Sequence, residues 1–193
     1  VGLSAGEPPT TKGYPPSVFS LLPRILERAG RGPTGSITGF YTILVEGDDM
    51  SEPVADAVRS ILDGHMVLAR RLANLGHYPA IDLTQSISRL MTELVDAEHL
   101  KQARTVVRLL AAYDEVADLV NIGAYAPGAN PDVDLAVGMH REIMAFLQQA
   151  ISEPVVYEQA RQQLADLSAK IERTRKQLES QSRQRPAATS AKA

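Results

Sequence analysis

The sequence contains no cysteine. Disulfide bonds, thiolate metal sites and cysteine nucleophiles are therefore excluded, and the composition fits a reducing compartment. Long hydrophobic runs are also missing, so no segment is predicted to span a bilayer. The N-terminus lacks the basic and then apolar layout of a signal peptide. We therefore expect a cytoplasmic protein that is neither exported nor inserted into a membrane.

Common catalytic motifs are absent as well. The sequence has no GxxxxGK[ST] phosphate-binding loop, no HExxH, no GxSxG and no dinucleotide-binding fingerprint. The histidines at 65, 77, 99 and 140 share no spacing that would assemble a metal site within one helix. These absences argue against a self-sufficient enzyme, and we predict no metal site.

Charge is divided unevenly along the chain. The 193 residues carry a formal net charge of −3, whereas residues 161–193 alone carry +5, so the preceding body is acidic. Residues 181–193 are polar and basic, which predicts a disordered, solvated tail. Binding of this tail to nucleic acid or anionic lipid is the less favoured alternative. With 44% hydrophobic residues, the body can form a packed core.

The first half of the chain has an α/β pattern. Prolines at 8, 9, 15 and 16 predict an extended loop over residues 7–14, and Ser17 is a suitable N-cap for a helix through about residue 29. The run SITGFYTILVEG, residues 36–47, predicts a strand buried on both faces of a parallel sheet. The acidic loop over residues 46–52 matches no calcium-loop spacing, so we favour a solvated or partner-facing turn.

A short helix to residue 61, a strand, a helix to residue 76 and a last short strand, PAIDL, are predicted next. From about residue 92 the spacing becomes helical throughout, with a break near residues 113–114. Asn130 or Asp132 is predicted to cap the following helix, and the last helix is predicted over about residues 154–178. The second half is therefore expected to be all-α.

The stretch GHYPAIDLTQSISRLM, residues 76–91, combines groups suited to contact a nucleotide. Tyr78 lies between a histidine and a proline at the end of a predicted helix, where its ring can stack on a base. The planar, permanently charged guanidinium of Arg89 suits phosphate oxygens, and Ser86 and Ser88 can bond to it or to the backbone. On composition alone, a half-buried core tyrosine and a surface arginine are the favoured alternative.

Three blocks of sequence resemble the C-terminal part of flagellum-specific ATPases, the export ATPases of the type III secretion family, over roughly residues 1–150. The blocks are GEPPTTKGYPPSVFSLLPRILERAG, GSITGFYTILVEGDDMSEPVADAVRSILDGHMVLARRLANLGHYPAIDLTQSISRLM and VNIGAYAPGANPDVDLA. That family is similar to the α and β subunits of rotary ATP synthases. The resemblance implies the C-terminal part of a RecA-like parallel-sheet nucleotide domain over residues 1–91 and a helical bundle domain over residues 92–180.

The resemblance also implies roles for individual residues. Arg89 matches the arginine finger that reaches the γ-phosphate of ATP in a neighbouring subunit. Tyr78 matches an aromatic residue that packs on adenine, and Tyr157 lies near a second aromatic residue of the adenine pocket. The phosphate-binding loop, the catalytic carboxylate and the magnesium ligands lie upstream in the family. The chain begins without methionine, so we expect it to be a fragment that is inactive alone.

Partners follow from the same resemblance. The family implies a homohexamer that uses ATP and Mg²⁺ at the cytoplasmic face of the flagellar export apparatus. Stalk and regulator proteins, export substrates and chaperones, and peripheral membrane association through the export gate are implied as well, without nucleic acid. The loops at 7–14 and 46–52 match segments that contact the stalk. A non-catalytic interaction module and a rotary ATP synthase subunit remain the alternatives.

Overall fold

The computed structural model describes residue 4 and residues 6–128 and 130–184. The chain divides into two units, residues 1–65 with 87–89, and residues 66–86 with 90–193. The elements up to the middle of the chain are α1 (Pro16–Leu26), β1 (Gly30–Arg31), β2 (Ser36–Ile37), α2 (Pro53–Ile61), β3 (Gly64–Leu68), α3 (Arg70–Asn74) and β4 (Ile81–Ser88). The remaining elements are α4 (Met91–Leu94), α5 (Ala97–Asp114), α6 (Ala117–Asn121), α7 (Pro131–Leu147) and α8 (Tyr157–Gln184).

The strands form two small sheets. β1 and β2 pair antiparallel, with Gly30 opposite Ile37. β3 and β4 form the second pair. Just beyond β3, the N–H of Ala69 donates to the carbonyl of Ala80, which precedes β4, whereas Gly64 at the start of β3 lies against Ile87 near the end of β4. This order makes the second pair antiparallel as well.

The strand predicted over residues 36–47 is wrong beyond Ile37. Residues 38–45 form no strand, and Phe40 and Leu44 are 84% and 90% exposed. A β-branched sequence becomes a strand only where neighbours satisfy its backbone groups. Within the described residues, the strand beside this run is β1, which is only two residues long. The apolar side chains therefore lie on the surface of this unit.

The first predicted helix is found with different ends. α1 begins at Pro16 and ends at Leu26, and its N-cap is Pro15 rather than Ser17. Proline suits the first helical position because its missing N–H would have no partner there. The backbone N–H of Ser17 is satisfied by the Glu7 carboxylate at 3.0 Å. α1 packs against α2, which begins at Pro53 and ends at Ile61, close to its predicted bounds.

The helical second half is confirmed in outline. α5 ends at Asp114, next to the predicted break, and the Asn130 side chain accepts a hydrogen bond from the Asp132 N–H at 3.0 Å as the predicted cap of α7. α8 extends to Gln184, so residues 181–184 of the predicted disordered tail are helical. No glycine or proline interrupts this sequence before Pro186. Residues 185–193 lie outside the described residues.

The core of the second unit is the three-helix contact of α5, α7 and α8. Among the described residues, the largest fully buried side chains belong to this contact: Val106, Leu109, Leu135, Ile143 and Ile171. The apolar faces of all three helices are therefore buried against one another. Leu83 of β4 packs against the same cluster, and this contact positions β4.

We expect Ile171→Val to lower the free energy of unfolding by about 0.5–1.5 kcal/mol because it removes one buried methylene. Ile171 is 0% exposed, whereas Ile151 is 104% exposed and provides a matched control. Urea unfolding of both variants measures the effect. An equal change in Ile151→Val and Ile171→Val would contradict the assigned core.

Candidate functional site

Tyr78 lies in the connection between α3 and β4. Gly76 ends the α3 turn with a positive φ of 71°, and its N–H donates to the carbonyl of Ala73 at 2.9 Å. His77 points inward, with 3% of its surface exposed, and burial lowers its pKa. Tyr78 is 53% exposed. The residue is therefore half-exposed, which the alternative of a half-buried tyrosine also expects, and the exposed part of the ring is accessible to a ligand.

A cavity of about 460 Å³ lies beside Tyr78 within the same unit. Its other walls are Gly76 and the segment after α7, with the lining residues Gln148, Gln149, Ala150, Ile151 and Glu153. The N–H of Gln149 donates to the carbonyl of Tyr78 at 2.8 Å, which fixes this segment against the tyrosine. Ile151, which lines the same cavity with a fully exposed side chain, carries no signal in the sequence that would have marked it.

Tyr157 is not part of that lining. It begins α8, is 58% exposed, and its hydroxyl lies 3.5 Å from Nδ1 of His99. Beside it, Arg161 forms an ion pair with Asp96, the N-cap of α5. The described contacts of Tyr157 therefore join the N-terminal ends of α8 and α5, and its predicted role at adenine stays a prediction.

Arg89 directly follows β4 and is exposed. Its guanidinium donates to the carbonyls of Arg59 and Ser60 at 3.2 and 3.4 Å, and its own N–H donates to the carbonyl of Asp63 at 2.8 Å. The carbonyls of Arg59 and Ser60 belong to the C-terminal end of α2, where the helix dipole favours a cation. No carboxylate within the described residues forms an ion pair with Arg89. The charge is held by neutral oxygens at the protein surface.

Ser86 is predicted to bond either to Arg89 or to the backbone, and in the structure it bonds to the backbone. Its hydroxyl donates to the carbonyl of Asp82 at 2.6 Å and accepts the N–H of Val67 at 3.0 Å. It therefore ties β4 to β3 through the backbone rather than holding the guanidinium of Arg89.

Asp82 is a buried ionisable residue that the sequence patterns did not indicate. Only 2% of it is exposed, and its carboxylate accepts hydrogen bonds from Arg71 at 2.6 Å, from the Thr84 hydroxyl at 2.7 Å and from the Gln85 amide at 2.9 Å. The backbone N–H groups of Thr84 and Gln85 donate to it too. Burial alone would raise the pKa of Asp82, but these bonds outweigh it and lower the pKa to about 2.

The two loops that the sequence predicts to contact a stalk are joined to each other. Lys12 pairs with Asp49 at 3.3 Å, and the Tyr14 hydroxyl donates to the Glu52 carboxylate at 2.8 Å. Glu52 is 7% exposed and Asp49 is exposed. The ordered contact of Tyr14 with Glu52 therefore fixes the position of the exposed acidic turn next to it.

The loop before α7 is held by Asp134. Its carboxylate accepts a hydrogen bond from the Tyr125 hydroxyl at 2.6 Å and from the Gly128 N–H at 2.9 Å. Burial and the hydrogen bond to the Asp134 carboxylate raise the pKa of Tyr125 to about 12. Asp134 thus closes the loop before α7, whereas the side chain of Asn130 caps the helix.

No group of three or more histidine, aspartate or glutamate side chains in the described part of the chain is arranged to hold a metal ion. None of the described helices is long and apolar enough to cross a membrane.

Comparison with known families identifies the class of protein. Residues 1–88 match the model of the ATP synthase alpha/beta family, nucleotide-binding domain, and residues 95–166 match that of the T3SS EscN ATPase C-terminal domain. The order is thus a nucleotide-binding domain and then a helical domain. The chain belongs to the flagellar and type III secretion ATPases of the ATP synthase α/β family. The predicted family and the predicted order of an α/β part followed by an all-α part are confirmed. The strands of the described residues pair antiparallel and not in the predicted parallel arrangement, because the strands that lie side by side here are neighbours along the chain.

The similarity to individual proteins is high. The chain is 49% identical to the flagellum-specific ATP synthase of Bacillus subtilis (strain 168), and the match covers 89% of this chain and 39% of that protein. The assembled ATPase EscN of enteropathogenic E. coli gives a TM-score of 0.82 at 46% identity, over 86% of this chain and 40% of EscN. EscN in complex with its central stalk EscO gives 0.75 at 45% identity, over 86% and 40%. The chain spans under half the length of these relatives.

Proposed function

We propose that the full-length protein hydrolyses ATP as a homohexamer and energises protein export at the cytoplasmic face of a flagellar or type III apparatus. The family membership carries this proposal, because the two matched domains follow one another in the order of the export ATPases. The chain alone supplies the residues proposed to contact the adenine and the γ-phosphate of ATP. It is inactive by itself because the family's phosphate-binding loop lies upstream. ATP turnover by the full-length protein tests the proposal, and no turnover would contradict it.

We propose that Arg89 is the arginine finger that acts on the ATP of a neighbouring subunit. The observation that supports this role is that, among the described residues, the exposed guanidinium is held by two carbonyls of α2 and by no carboxylate. Phosphate oxygens carry full charge, and charge-assisted hydrogen bonds to them are stronger than bonds to neutral carbonyls. The guanidinium can therefore exchange its partners when a triphosphate approaches, and it then stabilises the charge on the transferring group.

Tyr78 is proposed to pack on the adenine of ATP. Its half-exposed ring and the adjoining cavity support this role, because a flat apolar face beside open space suits stacking. Ile151 would form a second apolar surface of the same cavity. Tyr157 is proposed to contact the adenine from α8, although its described contact is with His99.

We expect Tyr78→Ala to raise the KM for ATP by about 5- to 100-fold in the full-length protein, since a stacked base contributes about 1–3 kcal/mol. The kcat is expected to stay within about twofold because the ring makes no contact with the transferring phosphate. Steady-state turnover against ATP concentration measures both constants. Tyr78→Phe keeps the ring and should leave KM near that of the parent. An unchanged KM in Tyr78→Ala would contradict the adenine contact.

The paired loops at 7–14 and 46–52 are proposed to contact a stalk protein. One similar protein, EscN, forms a complex with its central stalk EscO. The exposed carboxylates of Glu46, Asp48 and Asp49 would suit a basic partner surface. Export substrates, chaperones and regulator proteins are further proposed partners of the complete assembly, which would associate peripherally with the membrane through the export gate.

A further inference from the structure

The connection that carries Tyr78 is closed at its base by one ion pair. Arg71 lies in α3, before Tyr78, and Asp82 lies near the start of β4, after it. Their side chains meet at 2.6 Å. The segment between them therefore forms a loop whose two ends are joined by a charge-assisted hydrogen bond.

Other bonds hold the same connection but come from the backbone. The N–H of Ala69 donates to the carbonyl of Ala80 at 2.8 Å, and the N–H of His77 donates to the carbonyl of Leu72 at 3.0 Å. The side-chain contact between His77 and Gln148 is longer, at 3.4 Å. Among the described contacts of this connection, the pair of Arg71 and Asp82 is the charged side-chain link from α3 to β4.

Asp82, the second residue of β4, also shapes this strand. The N–H groups of Thr84 and Gln85 donate to its carboxylate at 3.1 and 3.2 Å, so at these positions the side chain takes the place of a neighbouring strand. A carboxylate that is 2% exposed and accepts five hydrogen bonds has one orientation. Arg71 is thereby anchored to a fixed point, whereas 58% of its own side chain is exposed.

We propose that the ion pair of Arg71 and Asp82 is a positioning device that fixes the Tyr78 ring for the adenine of ATP. The inference rests on the proposed role of Tyr78. Neither charged residue contacts the nucleotide in this mechanism. Their effect is to reduce the motion of the connection, so that the ring is already in place when the base arrives. Loss of the pair therefore weakens binding of ATP and leaves the chemical step unchanged.

A fluorescent reporter tests the positioning directly. The chain contains no tryptophan, so Tyr78→Trp introduces a single indole at the position of interest. We expect Arg71→Gln to increase the fast local motion of this indole in time-resolved fluorescence anisotropy. Arg71→Lys restores a charge without the planar fork and should give an intermediate value. Arg70→Gln removes the neighbouring exposed arginine of α3 and should match the parent. Equal anisotropy in all four proteins would overturn the proposal.

Kinetics separate a positioning role from a general structural one. In the full-length protein, Arg71→Gln should raise the KM for ATP by about three- to tenfold with kcat unchanged, and should add nothing in a Tyr78→Ala background because coupled residues are not additive. A fall in kcat as large as the rise in KM would overturn the proposal. Additive effects of Arg71→Gln and Tyr78→Ala on KM would overturn it as well. If Tyr78→Ala itself leaves KM unchanged, the adenine contact fails, and the anisotropy alone then decides whether the pair orders the ring.

Discussion

Arg89→Ala in the full-length protein is expected to bind ATP with nearly normal affinity and to lose hydrolysis by about 10³- to 10⁵-fold. The reason is that an arginine finger interacts chiefly with charge that develops in the transition state. Arg89→Lys should recover little, because an ammonium group cannot provide the planar pair of donors. Turnover at saturating ATP and nucleotide binding at equilibrium measure the two effects separately.

A mixing experiment shows in which subunit Arg89 acts. Arg89→Ala subunits are combined with subunits that lack the phosphate-binding lysine, so that each variant alone is inactive. Recovery of turnover in mixed rings is expected, because an intact Arg89 then faces an intact phosphate-binding loop across an interface. Arg59→Ala serves as a control, since the guanidinium of Arg89 bonds to the backbone carbonyl of Arg59 and not to its side chain. Near-normal turnover of Arg89→Ala would refute the finger and favour a non-catalytic interaction module.

Asp82→Asn is expected to lower the free energy of unfolding at pH 7 by about 2–4 kcal/mol. Removing one partner of a buried ion pair costs about 3–5 kcal/mol, and the value here is reduced because Arg71 is 58% exposed and stays solvated. Asp166 in α8 is exposed, so Asp166→Asn is a matched control with a small expected effect. Urea unfolding followed by circular dichroism measures both variants, and equal midpoints would contradict the role of Asp82.

The same substitution changes the pH dependence of stability. The folded-state pKa of Asp82 is about 2, below the ordinary value of 3.8, so the unfolded chain binds this proton at higher pH than the folded chain does. The contribution is fully present above about pH 5 and is lost as the pH falls from about 4 to about 2, at a total of about 2 kcal/mol. Asp82→Asn should lack this part of the acid-induced loss. A parallel pH profile for the two proteins would contradict the assignment.

Local chemistry made several elements predictable. The end of α2 at Ile61 and the Asn130 cap of α7 depend on neighbouring residues in sequence, and they lie where the pattern places them. The long strand over residues 36–47 failed because a strand depends on partners that are distant in sequence. Residues 38–45 lack such a partner within the described residues and are mostly exposed.

The candidate site shows the same division. Tyr78 and Arg89 are recognisable from a resemblance in sequence, because the blocks around them are long and occur in order. Asp82 lies inside one of those blocks, yet nothing in its spacing indicated burial or a partner. An aspartate in the sequence PAID is as compatible with a solvated turn as with an ion pair. Only the position of α3 against β4 brings Arg71 to within 2.6 Å of it.

The sequence by itself determined the family, the change from α/β to all-α near residue 92 and the absence of thiol chemistry, since these depend on composition, local periodicity and order along the chain. The tertiary structure decided which charges are neutralised and which are available. Asp82 is buried and paired, whereas Arg89 is exposed and held by carbonyls. The reason is that the free energy of a charged group depends on its solvation and on the partners that folding brings near it. The residue type determines neither of these.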